Sequence, residues 1–458
     1  MNSRNVAFFF VTAAAATGCF DDAKLRPATG DIGAVDVPVN PPDVPDARVD
    51  VTRTDVVADV AADALDASDA DDASDAADAD DAADASDVTD AMSSGCALER
   101  VLVTTTDYTN GGYALGRFAP TPSLVPSGAM SPDQDSVPVQ SGCVVYNLLR
   151  GNDALAVLDP MNLPTITRRI PLRMGTDSGA PYQVNPYDVY THSPEKAYVA
   201  QYAVPRVAVV NPTRDGVDGL LRSIDLSPLR QPEDRDMSGS MEAMGVVRAG
   251  RYVFVAMQNL NAFMPVTNGT MAVIDPNTDA LVDADTTTPA LDALRLSGRN
   301  PAAIAVTRGG RLVVAESGVV AFAPPQMLDG GIEFIDPATL RTSGLLVTEA
   351  QLGGDIATFT MLDEGRAWVV VTQRTATATS SRVIEVNLDA VDGMRVGRTI
   401  MSTVEIAAIA RDPSGNVWVL DRSMGHVGAR VYNNLGMELT TTALATGMYA
   451  PYGIAFVP

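Results

Sequence analysis

The stretch NPAAIAVTRGGRLVVAESGVVAFAPPQMLDGGIEFIDPAT, Asn300–Thr339, decides the fold. An apolar run, Ala302–Val306, leads through a Gly309-Gly310 turn into a second, Arg311–Ala315. A third run, Gly331–Ile335, ends in Asp336-Pro337. Three short β-type runs punctuated by turn residues make most of an antiparallel meander. The same order recurs on both sides of this stretch at spacings of roughly 40–55 residues, the range of blade-type repeats. An all-β fold is expected, a seven-bladed β-propeller. Six or eight blades are the alternatives, because the insertions Asn259–Gly269 and Val319–Gly330 blur the count.

Upstream, Met244–Val247, Tyr252–Met257 and Thr270–Ile274 form a fourth unit, and Tyr187–Thr191, Lys196–Gln201, Arg206–Val210 and Leu221–Leu226 a third. A second unit holds Cys143–Asn147, Ala154–Leu158 and Thr165–Pro171. Downstream, Asp355–Met361, Arg366–Thr372 and Arg382–Asn387 build the sixth. The seventh is Ile406–Arg411, Asn416–Asp421 and Gly428–Tyr432, with Thr440–Leu444 as its outer strand. The first unit, Arg100–Thr106 and Tyr113–Phe118, lacks an innermost strand. Tyr452–Val457, at the far end, has the pattern that opens the other units. Pairing the two ends would close the ring and remove exposed sheet edges.

Two turn signatures strengthen the repeat. Asp159-Pro160, Asn211-Pro212, Asp275-Pro276 and Asp336-Pro337 each follow a third strand, and Pro there fixes φ and cannot donate to a ladder. Ser193-Pro194-Glu195-Lys196, Arg308-Gly309-Gly310-Arg311, Asp363-Glu364-Gly365-Arg366 and Asp412-Pro413-Ser414-Gly415-Asn416 join first to second strands. With Lys196-Ala197-Tyr198-Val199-Ala200 and Asn416-Val417-Trp418-Val419-Leu420, these steps resemble the repeats of YVTN-type propellers over about residues 100–457. That resemblance implies blade architecture and says almost nothing of activity.

The leading part is different. Arg4 and the apolar run Val6–Ala16 have the form of an export signal, too short to span a bilayer as a stable helix. Ala16-Thr17-Gly18 before Cys19 resembles the lipobox of bacterial lipoproteins, although Leu is commoner where Ala16 stands. The resemblance implies a signal peptide over residues 1–18, lipidation of Cys19 and an anchor in the membrane of a bacterial cell envelope, with the leaflet left open. Residues 19–95 read as a linker. Residues 20–95 hold 21 Asp, no Glu and four Lys or Arg, among Ala, Val, Ser and Pro. No stripe of large apolar residues runs through them, and dense like charge opposes a helix, so an extended, disordered tether is expected. The ordered domain is expected over 96–458.

The whole chain carries a formal net charge of −25. No basic face is visible, which argues against nucleic acid as a partner. Once Cys19 is given to lipid, Cys96 and Cys143 remain, and in an exported protein such a pair suggests a disulfide. His192 and His426 stand in turns with no Ser or Cys set out as a nucleophile, so no catalytic residue is assigned. Asp275-x-Asn277-x-Asp279 resembles the start of an EF-hand loop, but Ala280 replaces the required Gly and Thr286 the closing Glu. No resident metal or other cofactor is expected.

In a propeller, the loops before each inner strand and those between second and third strands gather at one end of the central channel, a natural concave site. The first set here supplies Asn185, Tyr187, Asn300, Asp355, Glu405 and Tyr452. The second supplies Arg150, Tyr202, Gln258, Glu316, Gln373, Asp421 and Arg422. Two functions fit. One is a non-catalytic binding or scaffolding lipoprotein whose partner is a protein or another envelope component, contacted through Phe263, Met264 and Phe322 in the insertions. The other is a metal-dependent lactonase or hydrolase, with Glu316, Asn185, Asp355 and Asp421 converging around a divalent cation. Trp368 and Trp418 lie within strands and do not form the repeated tryptophan signature of quinone-dependent dehydrogenases.

Overall fold

The computed structural model describes residues 96–175, 184–230, 240–261, 263–320 and 325–458. Seven antiparallel sheets form the blades of a seven-bladed β-propeller, and an eighth, two-stranded sheet is a separate small hairpin. The signal segment, Cys19, the acidic tract and Phe322 lie outside the described residues.

Blade 1 is built as expected from both ends. Ala450–Val457 is its inner strand and pairs with Arg100–Thr106, with Val101 opposite Phe456 and Val103 opposite Ile454. Gly111–Arg117 comes next, and Ser123–Ser131, which the alternation did not reveal, is outermost. Blade 2 has a fourth strand as well. Ser136–Ser141 is its inner strand, ahead of Val144–Leu149, Ala154–Leu158 and Ile166–Pro171. Pro138 hides it from a reading of sequence, yet Pro is tolerated on an edge strand, and the inner strand of a blade is an edge. Blades 3 to 6 follow the expected runs. In blade 7 the expected outer strand is absent. Gly428–Tyr432 is its last strand, and Thr440–Leu444 contributes only an isolated bridge, Ala429 with Leu444. That edge is nonetheless covered: Leu439 N–H donates to Val431 O, and Ala429 and Leu444 exchange both backbone bonds. Coil thus does the work of a strand there.

The Asp/Asn-Pro signature forms one device four times. The side-chain oxygen of Asp159, Asn211, Asp275 and Asp336 accepts from the N–H two residues on, at 2.9, 2.9, 2.8 and 2.9 Å. These are Asx turns, which launch the chain toward the outer edge. The apparent calcium motif is therefore a blade turn. Asp279 is bound instead by Lys196 Nζ at 2.6 Å, by Tyr198 Oη and by Arg222.

Each contact between neighbouring blades holds its own apolar cluster. Successive residues of one strand serve opposite clusters: Leu312 and Val314 pack toward blade 4, Val313 and Ala315 toward blade 6. A strand buried on both faces needs an unbroken apolar run, which is why these second strands read as they do. Full burial of such a side chain is worth about 1.5–3 kcal/mol. Cys96 is joined to Cys143, their Cα atoms 5.6 Å apart, tying the chain before the first strand to the inner hairpin of blade 2.

Candidate functional site

Two rings of equivalent positions surround one end of the channel. The first stands at the entry to each inner strand: Asp135, Asn185, Glu242, Asn300 and Glu405 just before it, Asp355 as its first residue and, in blade 1, the less polar end of Ala450–Val457. Asn185, Glu242 and Asn300 all have positive φ, at 53°, 45° and 55°. The second ring is the residue after each second strand. The two are bonded through the backbone. Arg150, Tyr202, Gln258, Ser317 and Arg422 each donate N–H to the carbonyl of Asp135, Asn185, Glu242, Asn300 and Glu405. Within the first few residues of the inner strand a β-bulge recurs in blades 1, 3, 4, 5, 6 and 7. Bulges turn side chains that a regular strand would send elsewhere.

On one arc of this mouth the predicted residues do meet. Arg150, only 3% exposed, lies with its guanidinium 3.9 Å over the Tyr187 ring, which stacks on Tyr202 at 5.0 Å. Arg150 Nη1 is 3.7 Å from Asp135 Oδ1, and Tyr452 Oη donates to the same oxygen at 2.8 Å. Tyr452 meets Tyr108 edge-on, and Arg422 Nη1 donates to Tyr108 Oη at 2.7 Å while its Nε lies 3.5 Å from Glu405. Alternating Tyr and Arg thus link blades 3, 2, 1 and 7. Burial raises the Tyr187 and Tyr452 hydroxyls well above the ordinary tyrosine range and Tyr108 to about 12, so all three remain neutral donors.

The other arc is carboxylic. Asp355 pairs with Arg374 through Nη1, and Gln258 Nε2 donates to Pro301 O at 2.9 Å. Gln258 Oε1 and Asn185 Oδ1 are buried without a partner among the described residues. Asn300 Nδ2 donates to Gly318 O. Gln373 is exposed on an extended hairpin and adds nothing to the mouth; its neighbour Arg374 takes the interior position.

Glu316 and Asp421 are corrections. Both are the last residue of a second strand, one place before the ring, and a one-residue step reverses the face of a strand. Glu316 turns against blade 4, accepting Gly298 N–H at 3.1 Å. Glu333, cross-strand on the same face, accepts from Ser297 N and Oγ. Burial, and then the neighbouring carboxyl, hold Glu316 far above the carboxylate range, and burial raises Glu333 as well. Glu349, on the blade 6 side, accepts from Gly330 N and Ile356 N and is raised to about 8, chiefly by burial. Asp421 faces blade 6, where Thr403 Oγ1 and Ser423 N donate to it. The four-residue cage of Glu316, Asn185, Asp355 and Asp421 is not assembled, and no cluster of three or more His, Cys, Asp or Glu suited to a metal occurs among the described residues.

Sequence reasoning missed Asp135, Tyr108, Glu242, Glu333, Glu349 and Arg374. Asp135 and Glu242 were within reach, since both immediately precede inner strands. Glu333 was not, because its role depends on which residue it faces across the ladder.

No protein-family model matches the chain, and no curated protein matches it. Solved structures do. A functionally unknown protein from Desulfotomaculum acetoxidans is 12% identical at a TM-score of 0.47, over 78% of this chain and 99% of that one. The β-propeller domain of Cps50 (Swd1) from Myceliophteria thermophila is 13% identical at 0.43, over 71% and 91%. Virginiamycin B lyase of Staphylococcus aureus, crystallised with quinupristin as an inactive variant, is 10% identical at 0.42, over 71% and 92%. This chain is a β-propeller. The propeller is read from the chain's own seven blades.

Proposed function

We propose that the propeller is a non-catalytic binding module, held to a bacterial cell envelope by lipid on Cys19 and displayed at the end of the acidic tract. The observation that carries this reading is how the charges of the mouth are used. Arg150 pairs with Asp135, Arg374 with Asp355 and Arg422 with Glu405. Catalysis needs a nucleophile beside a base or an open metal position, whereas here each charged group is engaged by its neighbour. Recognition then falls to the rim. The insertion after the second strand of blade 4 forms a small hairpin, Leu260–Asn261 with Met264–Pro265, with Phe263 and Met264 exposed at its tip. Such apolar residues at a loop tip suit contact with a protein or another envelope component.

The test compares envelope material retained by the full chain with that retained by a Phe263→Ser, Met264→Ser double variant. Retention should fall at least several-fold with the melting curve unchanged. Equal retention would remove the rim from the reading. Divalent-ion-dependent hydrolysis of lactones by the full chain, lost in Asp355→Asn, would replace it with the enzymatic one. Cys19→Ala should move the protein from the membrane to the soluble fraction.

A further inference from the structure

Where blade 7 lacks an outer strand, a cleft of about 430 Å³ opens against Val396–Thr403, the outer strand of blade 6. This volume is in the range of small-molecule sites. Arg430 is the central group. Its Nη1 donates to Glu438 Oε1 at 2.9 Å, its Nη2 lies 3.3 Å from His426 Nδ1, and its Nε lies 3.6 Å from Asp421 Oδ2. A guanidinium only donates, so His426 Nδ1 accepts and the ring proton sits on Nε2. Each terminal guanidinium nitrogen carries a second hydrogen, and the Glu438 carboxylate has more lone-pair sites than Arg430 and Thr440 Oγ1 use. Donors and acceptors therefore alternate within one cleft, beside the apolar surface of Met401 and Tyr432.

We propose that this cleft binds a neutral polyhydroxylated ligand, one or two sugar rings of a glycan. A hydroxyl both donates and accepts, so vicinal hydroxyls match a guanidinium flanked by a carboxylate and an imidazole N–H. The C–H face of a ring matches the thioether and the phenol. One guanidinium against two carboxylates disfavours an anion, and a cation would have to settle beside that guanidinium. The site is independent of the channel mouth and of the rim hairpin.

Saturation-transfer NMR on the full chain with chitobiose tests it, with spermidine and citrate as the cationic and anionic comparisons. Chitobiose should bind, and affinity should drop at least tenfold in Glu438→Gln and in His426→Ala, both at solvent-reached positions. Arg430→Lys keeps the charge and loses the fork, and should weaken binding as much. Gln258→Ala, at the mouth, should leave chitobiose affinity unchanged. No transfer to chitobiose, binding that survives both Glu438→Gln and His426→Ala, loss in Gln258→Ala, or spermidine or citrate binding in place of the sugar would each overturn the assignment. Sedimentation with insoluble peptidoglycan sacculi distinguishes the sources. Co-sedimentation lost in the same variants points to a polymer and binding of the free disaccharide alone to a diffusible sugar, and either upholds the ligand class.

Discussion

The two arcs of the channel mouth use the same backbone positions for opposite electrostatic solutions. Across blades 7, 1, 2 and 3, buried arginines lie between carboxylates and tyrosine faces, so charge is kept and compensated. In blade 5, Glu316 and Glu333 are buried side by side, served by neutral donors from Ser297 and Gly298. There burial favours the uncharged carboxyl, Glu316 most of all. A blade specifies where its strands begin and turn, and it leaves the chemistry at those places to vary. The compensated arc is also where the ring closes, which suggests that its tyrosine–arginine chain fastens the seam more than it awaits a ligand.

The strongest way to break this contrast is to remove the seam. A chain ending before Ala450 should lose its cooperative thermal transition, because blade 1 would expose the edge of Arg100–Thr106 to the channel. A sharp, unchanged transition would show the ring to be indifferent to closure. Next, Arg150→Met should destabilise by about 3–5 kcal/mol in urea unfolding, since Asp135 is left as a buried charge without its cation. A loss under about 1 kcal/mol would mean the clasp is ornamental.

The buried glutamates of blade 5 and its border predict a pH dependence of definite sign. Carboxyls of an unfolded chain titrate near pH 4.3, whereas Glu316, Glu333 and Glu349 are raised in the folded protein, Glu349 to about 8. Their contribution is complete below the unfolded value and is lost as pH climbs through the folded ones. Chemical-denaturation midpoints should therefore fall between about pH 5 and pH 9. Glu316→Gln should flatten the fall and gain on the order of 1–3 kcal/mol at the alkaline end. A wild-type profile that rises over this interval would refute the assignment. Smallest of all, Gln258→Ala should cost about 1 kcal/mol for the bond to Pro301 O. A larger cost would place Gln258 among the fasteners.

Most of the fold was legible because propeller punctuation is local. Asx turns, Gly-containing hairpins and apolar runs mark five blades almost residue by residue, and the pattern at Tyr452–Val457 betrayed the closure. What escaped was non-local or locally contradictory. Pro138 masks an inner strand that needs no inward ladder, Pro126 and Gly128 interrupt Ser123–Ser131, and Thr440–Leu444 has strand composition but lies as coil. At the mouth, Arg150, Tyr187, Tyr202, Tyr452 and Arg422 were found from strand ends alone. Glu316 and Asp421 missed by one residue, and in a period of two one residue is the whole difference. The Glu316–Glu333 pair needed cross-strand register, which no single stretch encodes.

The disulfide has a mechanical consequence. Cys96 stands upstream of the strand that completes the ring, and its bond enters the inner hairpin of blade 2. A pull applied to the chain ahead of Cys96 would be shunted through sulfur into an already closed sheet, past the ladder between Arg100–Thr106 and Ala450–Val457. With the bond reduced, the same pull would shear that ladder directly.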